Sequence, residues 1–367
     1  MIPVCEPLIN KREIEYVIEC LRTGWISSNG KFINEFEEKW ADYCGMKNGI
    51  AVSNGTVALQ VALGCLDLRH DDEVIIPTFT IISCATAVIY NRAKPVLVDS
   101  EPLTFTINTE QIEEKITKNT KVIMPVHIYG HPCDMDPIYK LARKYDLIII
   151  EDAAEAHGAE YKGKKCGGLG DISCFSFYAN KIITTGEGGM VLTNSDDYAE
   201  KARSLRNLCF QKNRRFYHEE LGYNFRLTNI QAAIGVAQLE RINELVEKKR
   251  WIAYTYNKKL KDIPGLILPI EKKWAKNVYW MYSIVLDEST GIDAKEFAKR
   301  MDKLGVGTRP FFLGMHEQPV FREMGLFKGE HYPVAEKISK QGLYLPSGLA
   351  LSENDIDFVV CAVKEAL

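Results

Sequence analysis

One lysine in apolar surroundings has the clearest chemical potential in this sequence. Lys181 lies within the segment Ser173–Met190, close to Phe177 and Ile182. Desolvation by such neighbours favours the neutral amine and lowers its pKa, which an imine-forming lysine needs. The competing interpretation is a lysine whose stem covers apolar surface while its amine reaches water. The segment alone favours this second interpretation, but two distant segments favour the chemical one.

Two adjacent carboxylates follow an apolar run that is typical of a buried strand. Glu151 and Asp152 come directly after Leu147–Ile150. The carboxyl ends of strands in an open α/β sheet form its ligand crevice, and a carboxylate buried there needs a cation or hydrogen-bond donors. A protonated pyridine nitrogen would be such a partner, so Asp152 and Lys181 together suit a cofactor held from both sides. His157, further along, is as typical of a packed histidine as of a catalytic one.

A small polar turn, Ser53–Thr56, separates a short strand from an apolar helix. The first amides of a helix have no intrahelical partner, and the positive end of its dipole attracts anions. Gly55 lets the backbone approach a ligand and Thr56 adds a hydroxyl, so the turn predicts a phosphate site. An ordinary helix cap explains the same residues equally well. Ser176, just before Lys181, could add a hydroxyl to the same phosphate.

Two further segments carry polar residues without a defined chemistry. Asn224 lies in the segment 221–229, which is typical of an ordered loop before a helix capped near Thr228. Arg309 and His316 flank an aromatic stretch. These two side chains fit either a substrate anion or the polar rim of a site.

The elements that would position these residues alternate between short β-branched runs and helical patterns. Such alternation predicts a mainly parallel α/β sheet with helices on both faces. The predicted strands are Val74–Ile76, Pro95–Val98, Val122–Val126, Leu147–Ile150, Ile172–Phe177 and Met190–Thr193. The predicted helices between them are Val57–Leu66, Ile82–Tyr90, Thr109–Ile116 and Asp136–Lys144.

A long helical stretch from Thr228 to Tyr256 is expected to lead into a second domain. We therefore predict a large domain over residues 1–244, including an N-terminal segment, and a smaller C-terminal α+β domain over residues 245–367. The small domain should contain a strand at Tyr282–Leu286 and helices near Ala294–Lys303, Tyr332–Lys340 and Glu353–Glu365.

The composition argues against several functional classes. A formal net charge of −3 gives no reason to expect a nucleic acid as the main partner. No apolar run approaches the roughly 20 residues that span a membrane, and a signal-peptide pattern is missing, so a cytoplasmic protein is expected. The ten cysteines contain no Cys-x-x-Cys pair, which predicts reduced thiols and no metal site.

Taken together, these residues resemble the DegT/DnrJ/EryC1/StrS family of nucleotide-sugar aminotransferases, which has the fold-type I architecture of the aspartate aminotransferase superfamily. The resemblance covers nearly the whole chain. Its motifs are Thr23-Gly-Trp-Ile-Ser-Ser, Ser53-Asn-Gly-Thr-Val-Ala-Leu, Pro125-Val-His-Ile-Tyr-Gly, Glu151-Asp-Ala-Ala-Glu-Ala-His-Gly-Ala, Phe175-Ser-Phe-Tyr-Ala-Asn-Lys, Thr184-Thr-Gly-Glu-Gly-Gly and Gly222-Tyr-Asn-Phe-Arg-Leu-Thr-Asn-Ile-Gln-Ala-Ala.

The resemblance implies pyridoxal 5'-phosphate (PLP) as the cofactor. Lys181 would bind it covalently and then act as general acid and base, while Asp152 would keep the pyridine nitrogen protonated. Glu155, where many relatives have Gln, would lie near the ring hydroxyl. The phosphate would be held by Gly55, Thr56 and Ser176, and by Asn224 from the neighbouring subunit, so the resemblance implies a homodimer with a shared active site.

The resemblance also separates neighbouring activities. Relatives that dehydrate a keto sugar carry His at the lysine position, so Lys181 favours amino transfer. One departure from the family is Ile81, which stands where relatives often carry an aromatic residue that stacks on the pyridine ring. A catalytically silent homologue that senses ligands, or another fold-type I chemistry such as decarboxylation, are the competing functional hypotheses.

Four stretches are most similar to the branch of the family that makes GDP-perosamine. That reaction converts GDP-4-keto-6-deoxy-D-mannose to its 4-amino sugar with glutamate as amino donor, for O-antigen or other polysaccharide biosynthesis. By this similarity, Arg309 and His316 would approach the nucleotide-sugar end of the site. UDP- or dTDP-linked keto sugars stay open as alternatives. The stretches are Leu205-Arg-Asn-Leu, His218-Glu-Glu-Leu-Gly-Tyr-Asn-Phe-Arg, Val278-Tyr-Trp-Met-Tyr and Thr308-Arg-Pro-Phe-Phe.

Overall fold

The computed structural model describes residues 1–211 and 213–367. Its β-strands are β1 (Asn48–Val52), β2 (Glu73–Pro77), β3 (Lys94–Val98), β4 (Thr120–Ile123), β5 (Ile148–Asp152), β6 (Glu160–Tyr161), β7 (Lys164–Lys165), β8 (Ile172–Ser176), β9 (Gly189–Thr193), β10 (Leu266–Ile267), β11 (Ala275–Lys276), β12 (Tyr282–Leu286), β13 (Arg309–Pro310) and β14 (Gly342–Leu345).

Helices cover both faces of the large sheet and continue into the C-terminal third of the chain. The α-helices are α1 (Lys11–Thr23), α2 (Lys31–Cys44), α3 (Gly55–Gly64), α4 (Ser83–Tyr90), α5 (Ile112–Lys115), α6 (Met135–Tyr145), α7 (Asp196–Arg206), α8 (Asn229–Leu239), α9 (Ile242–Leu260), α10 (Ala294–Lys303), α11 (Pro319–Glu323), α12 (Pro333–Gln341) and α13 (Glu353–Ala366). Short 3-10 helices occupy Ile128–Gly130, Glu288–Thr290 and Met315–Glu317.

The central sheet has seven strands in the order β1-β9-β8-β5-β4-β2-β3. Its pairs from β8 through β3 are parallel, whereas β9 runs antiparallel to both of its neighbours. The predicted mixed, mainly parallel sheet is therefore confirmed. Strands β8 and β9 are buried along their whole length, as expected for a sheet that helices cover on both sides.

A smaller antiparallel sheet, in the order β10-β12-β14-β13, organises the C-terminal third. It belongs to a second hydrophobic core that begins at Ile252 and continues to Ala366. The predicted boundary at residue 244/245 lies inside helix α9, so the division into domains stays a prediction. Among the described residues, no helix is both long and apolar enough to cross a membrane.

The first residues of the chain lie on the smaller sheet's side of the molecule. We call residues 2–5 the N-terminal strap. Ile2 forms a β-bridge with Val306, and the backbone of Val4 accepts a hydrogen bond of 2.9 Å from the Ser347 amide. The Cys5 thiol lies 3.7 Å from the carbonyl oxygen of Asn180. The strap thus connects residues that flank β13 and β14 with the residue that precedes Lys181.

Two helix predictions were wrong in length. The stretch predicted as one helix from Thr228 to Tyr256 is two helices, because the backbone of Arg241 is not helical (φ −122°, ψ 17°) and caps the second one. The Arg241 side chain reaches Glu13 of α1 at 3.8 Å, a tertiary contact that local sequence does not encode. The helix predicted over Thr109–Ile116 is only the single turn α5.

Candidate active site

A cavity of about 760 Å³ lies at the carboxyl edge of the central sheet. Most of the predicted site residues meet there, because the turns after β1, β2, β5 and β8 all open at this edge. A larger cavity of about 900 Å³ lies beside α7 and is lined by neither Asp152 nor Lys181. The lining of the 760 Å³ cavity includes Asn54, Gly55, Thr56, Thr80, Ile81, Ser83, Val126, Asp152, Ala154, Glu155, Ser176, Tyr178, Lys181, Phe225, Trp280, Phe312 and Tyr344.

The Lys181 amine points into this cavity. Its Nζ lies 3.7 Å from the centre of the Trp280 ring and 3.9 Å from Glu155 Oε1, and the side chain is 9% exposed. Burial lowers the pKa of Lys181, against the opposing charges of Glu155 and Asp152. A lysine stem that only covers apolar surface would carry its amine into water, so the geometry favours the chemical interpretation.

Asp152 ends β5 with its carboxylate buried beside the cavity. Among the described residues, it accepts a hydrogen bond of 3.1 Å from the Cys84 thiol and one of 3.0 Å from the Ala154 amide. Burial raises its pKa, and these hydrogen bonds and Lys181 only partly oppose the shift. A carboxylate with so few donors has spare capacity for a cationic or N–H partner.

Glu155 lies three residues further along the same turn. One carboxylate oxygen, Oε2, accepts a hydrogen bond of 2.7 Å from the Tyr129 amide, and the other faces Lys181. Tyr129 holds a left-handed backbone (φ 54°), which is uncommon for an aromatic residue and is maintained by its packing. Burial raises the pKa of Glu155 to about 7, although the charge of Lys181 opposes this shift.

The predicted phosphate turn approaches the end of β8. A Cβ atom on Gly55 would lie 2.7 Å from the Cβ of Ser176, so only glycine fits there without displacing the serine. The Thr56 and Ser83 hydroxyl oxygens lie 2.8 Å apart. Helices α3 and α4 therefore begin side by side, and the hydroxyls of Thr56 and Ser83 join the two helix starts. This arrangement suits a phosphate group.

The remaining sequence candidates lie elsewhere. Asn224 is exposed and does not line the cavity of its own chain. Arg309 is exposed on β13, where it pairs in register with the cavity residue Tyr344.

His316 is buried outside the lining of this cavity. The residue is 2% exposed, and its ring nitrogens lie 2.9 Å from the Thr78 hydroxyl and 3.1 Å from Glu336. Its contact with the substrate therefore stays a prediction.

His157 has the role of a packed histidine. Its Nε2 donates to the carbonyl oxygen of Ser176 at 2.8 Å, and its ring lies among Trp40, Phe175 and Phe177. Burial lowers its pKa to about 3, which keeps the ring neutral at ordinary pH. The residue supports the end of β8.

Sequence reasoning missed several cavity residues. Trp280, Phe312 and Tyr344 come from the C-terminal third and form an aromatic wall opposite the sheet edge. Trp280 and Phe312 lie within stretches that the family resemblance singled out, but their position depended on the tertiary fold. Ile81 does line the cavity and is 39% exposed.

The residues present fit PLP. The helix-start amides and the hydroxyls of Gly55, Thr56 and Ser83 match a phosphate, while the spare capacity of Asp152 matches a protonated ring nitrogen. The buried amine of Lys181 matches an aldehyde carbon. These three chemical matches come from different elements and converge on one cavity.

Known proteins share both the sequence and the fold. The chain is 46% identical to GDP-perosamine synthase of Caulobacter vibrioides, over 100% of this chain and 98% of that relative. It is 42% identical to GDP-perosamine synthase of Escherichia coli O157:H7, over 99% and 98%. The PLP form of Spr1654 from Streptococcus pneumoniae superposes with a TM-score of 0.92 at 25% identity, over 100% and 98% of the two chains. The model of the DegT/DnrJ/EryC1/StrS aminotransferase family matches residues 7–364, and the chain belongs to this family.

Proposed function

We propose that this protein is a PLP-dependent aminotransferase that converts GDP-4-keto-6-deoxy-D-mannose to GDP-perosamine, with glutamate as amino donor. The observation that carries the chemistry is the buried Lys181 amine in one cavity with Asp152. The choice of substrate is supported by sequence identities of 46% and 42%, over nearly the whole chain, with two GDP-perosamine synthases. Such a product would enter polysaccharide biosynthesis, and the expected cytoplasmic location stays a prediction.

Each site residue has a defined part in this reaction. When bound, PLP supplies an electron sink that stabilises negative charge on the reacting carbon. Lys181 would be the residue that holds PLP and the group that gives and takes protons in the cavity. Asp152 would hold a proton at the ring nitrogen. Gly55, Thr56 and Ser176 would hold the phosphate and thereby orient the ring.

Asn224 and Arg309 lie outside the cavity of their own chain, so their proposed roles involve a second subunit and the distal part of the substrate. Asn224 is exposed on its own chain, which is consistent with the proposal that it contacts the phosphate of a second subunit in a homodimer. Arg309 lies next to Tyr344 at the cavity edge, which supports a contact with the diphosphate or sugar of the substrate. Glu155 would lie beside the ring hydroxyl.

The cofactor assignment is tested by reduction of the purified protein with borohydride after addition of PLP. We expect a visible absorption band that reduction removes, with the cofactor mass added to the peptide containing Lys181. The variant Lys181→Ala should bind PLP without covalent attachment. An unmodified Lys181 in the reduced wild-type protein would contradict the proposal.

The substrate is tested with GDP-, UDP- and dTDP-linked 4-keto-6-deoxy sugars, each incubated with glutamate. We expect GDP-4-keto-6-deoxy-D-mannose to give the highest kcat/KM. A higher kcat/KM with a UDP- or dTDP-linked sugar would keep the aminotransferase assignment but replace the substrate. Cofactor turnover by glutamate without product from any keto sugar would contradict the sugar assignment.

A further inference from the structure

The Lys181 amine has a carboxyl group beside it that can hold a proton. Glu155 Oε1 lies 3.9 Å from Lys181 Nζ, and both side chains are more than nine-tenths buried. The other oxygen of Glu155 is fixed by the Tyr129 amide at 2.7 Å. The lysine stem has four rotatable bonds, so a small rotation brings its amine to hydrogen-bond distance while the carboxylate stays in place.

Few other charges compete for this pair. Asp152 interacts more weakly with Lys181 than Glu155 does, and its own carboxylate is bound by the Cys84 thiol and the Ala154 amide. On the opposite side, Trp280 offers the amine a ring face, which can neither accept nor release a proton. Among the described residues, the other titratable groups near this pair are Tyr129, Cys84, Tyr344, Cys5 and His157. Burial keeps the hydroxyl and thiol groups protonated and the His157 ring neutral.

We propose that Glu155 is the proton-holding partner of Lys181. Its carboxylate takes one proton from the Lys181 ammonium, which leaves the free amine that attack on a carbonyl requires, and the carboxylic acid later returns that proton. The exchange conserves the proton count of the pair and needs no other reactant. Its use in catalysis rests on the aminotransferase function proposed above, whereas the pairing itself is a property of the cofactor-free protein.

Burial supports this exchange, because it disfavours the charged form of both groups. The pKa of Glu155 is raised to about 7 and that of Lys181 is lowered, so the two pKa values move towards each other. Burial thus narrows the free-energy gap between the neutral pair and the ion pair, which favours proton transfer between the two groups. A glutamine at position 155 could accept the Tyr129 amide but could not exchange a proton.

The pairing is tested in the cofactor-free protein by competitive labelling of Lys181 with acetic anhydride across pH. In Glu155→Gln the ammonium loses its counterion, so the Lys181 pKa should fall and its labelling at pH 7 should rise about tenfold. Asp136→Asn removes the same charge at the surface, where Asp136 pairs with Lys162, and should leave the labelling unchanged. Equal Lys181 pKa values in Glu155→Gln and wild type would overturn the proposal.

The proton transfer is tested by chemical rescue of Glu155→Ala loaded with PLP. Single-turnover reaction with glutamate should slow about 100-fold, within the range of general acid–base catalysis, and added acetate should restore part of the rate. Acetamide has the same shape but no acidic proton and should restore none. Equal rescue by acetate and acetamide would show that Glu155 only fills space. If wild type fails to bind PLP while the labelling shift persists, the proposed function fails and the pairing stands.

Discussion

Two neighbouring carboxylates at the end of β5 face opposite sides of the central sheet and have opposite chemistry. Glu151 accepts hydrogen bonds from Ser173 at 2.8 Å, from the Leu169 amide at 2.9 Å and from the Gly170 and Gly167 amides. Asp152 has only two donors among the described residues. The pleat of the strand separates the two side chains, since successive residues point to opposite faces.

The number of donors decides the direction of each pKa shift. Burial by itself would raise the pKa of Glu151, but its hydrogen bonds, led by that from His127, lower it below the usual value. His127 Nδ1 accepts the Cys133 amide, so Nε2 carries the proton and donates to Glu151 at 2.9 Å. For Asp152, burial outweighs the hydrogen bonds and the pKa rises. A carboxylate that can accept further hydrogen bonds marks the ligand side of the sheet. A carboxylate whose two oxygens already accept several hydrogen bonds marks the structural side.

The same difference explains a three-residue cluster on the structural side. His127, Glu151 and Cys166 place possible ligand atoms within 4.8 Å of one another. Both Glu151 oxygens already accept hydrogen bonds from backbone amides and side chains, so we interpret the cluster as a support for β5.

The largest effect should separate the two acids by activity. Asp152→Asn should lower kcat for amino transfer from glutamate about 1,000-fold, equal to about 4 kcal/mol in the transition state, because the ring nitrogen loses its anionic partner. The thermal midpoint of the cofactor-free variant should stay close to that of wild type. A large loss of stability in Asp152→Asn with unchanged kcat would contradict the assignment of Asp152 to the ligand side of the sheet.

The next effect should separate them by stability. Glu151→Gln should lower the free energy of unfolding by about 3 to 5 kcal/mol, because several buried donors lose a charged acceptor. Denaturant unfolding of the cofactor-free protein measures this change, with Asp152→Asn as the matched variant one residue away. Similar stabilities of the two variants would contradict the structural role of Glu151.

A smaller effect should appear in the pH dependence of stability. Glu155 has a folded pKa of about 7, above its unfolded value of 4.5, so the folded protein keeps a proton that the unfolded chain has lost between these values. Stability should therefore be greatest below pH 4.5 for this group and fall by about 2 kcal/mol as pH rises through 7. The measurement is the free energy of unfolding at pH 5 and at pH 8. It should fall with pH more steeply in wild type than in Glu155→Gln, and an equal fall in both proteins would contradict the raised pKa of Glu155.

The smallest effect concerns the phosphate end of the cavity. Gly55→Ala places a methyl group against Ser176 and should weaken PLP binding about tenfold, equal to about 1.4 kcal/mol. Titration of the cofactor-free protein with PLP measures this change. Gly163→Ala lies in a left-handed turn (φ 80°) with open space around it, so it controls for backbone strain from a glycine substitution outside the cavity and should leave PLP affinity unchanged. Unchanged PLP affinity in Gly55→Ala would remove this turn from the site.

The sequence was informative where chemistry and local structure coincide. Lys181, Asp152 and the Ser53–Thr56 turn could be predicted because a strand end or a helix start places each at one edge of the sheet. The donor count of Asp152 could not be predicted, since Cys84 comes from another helix.

The features that the sequence did not predict are those whose setting is tertiary. The hydrogen bond between His316 and Thr78 joins two residues that are far apart in the chain. Ser83 reaches Thr56 only because α3 and α4 begin side by side. Arg241, where the helix breaks, likewise contacts a distant element, since its side chain reaches Glu13 of α1.

The N-terminal strap has a practical consequence for work with the recombinant protein. Met1 is exposed, but Ile2 forms a β-bridge with Val306 and Cys5 lies against the carbonyl oxygen of Asn180, next to Lys181. An affinity tag fused before Met1 would therefore extend directly from a segment that contacts the residue before Lys181, so such a tag should be removed before PLP binding is measured.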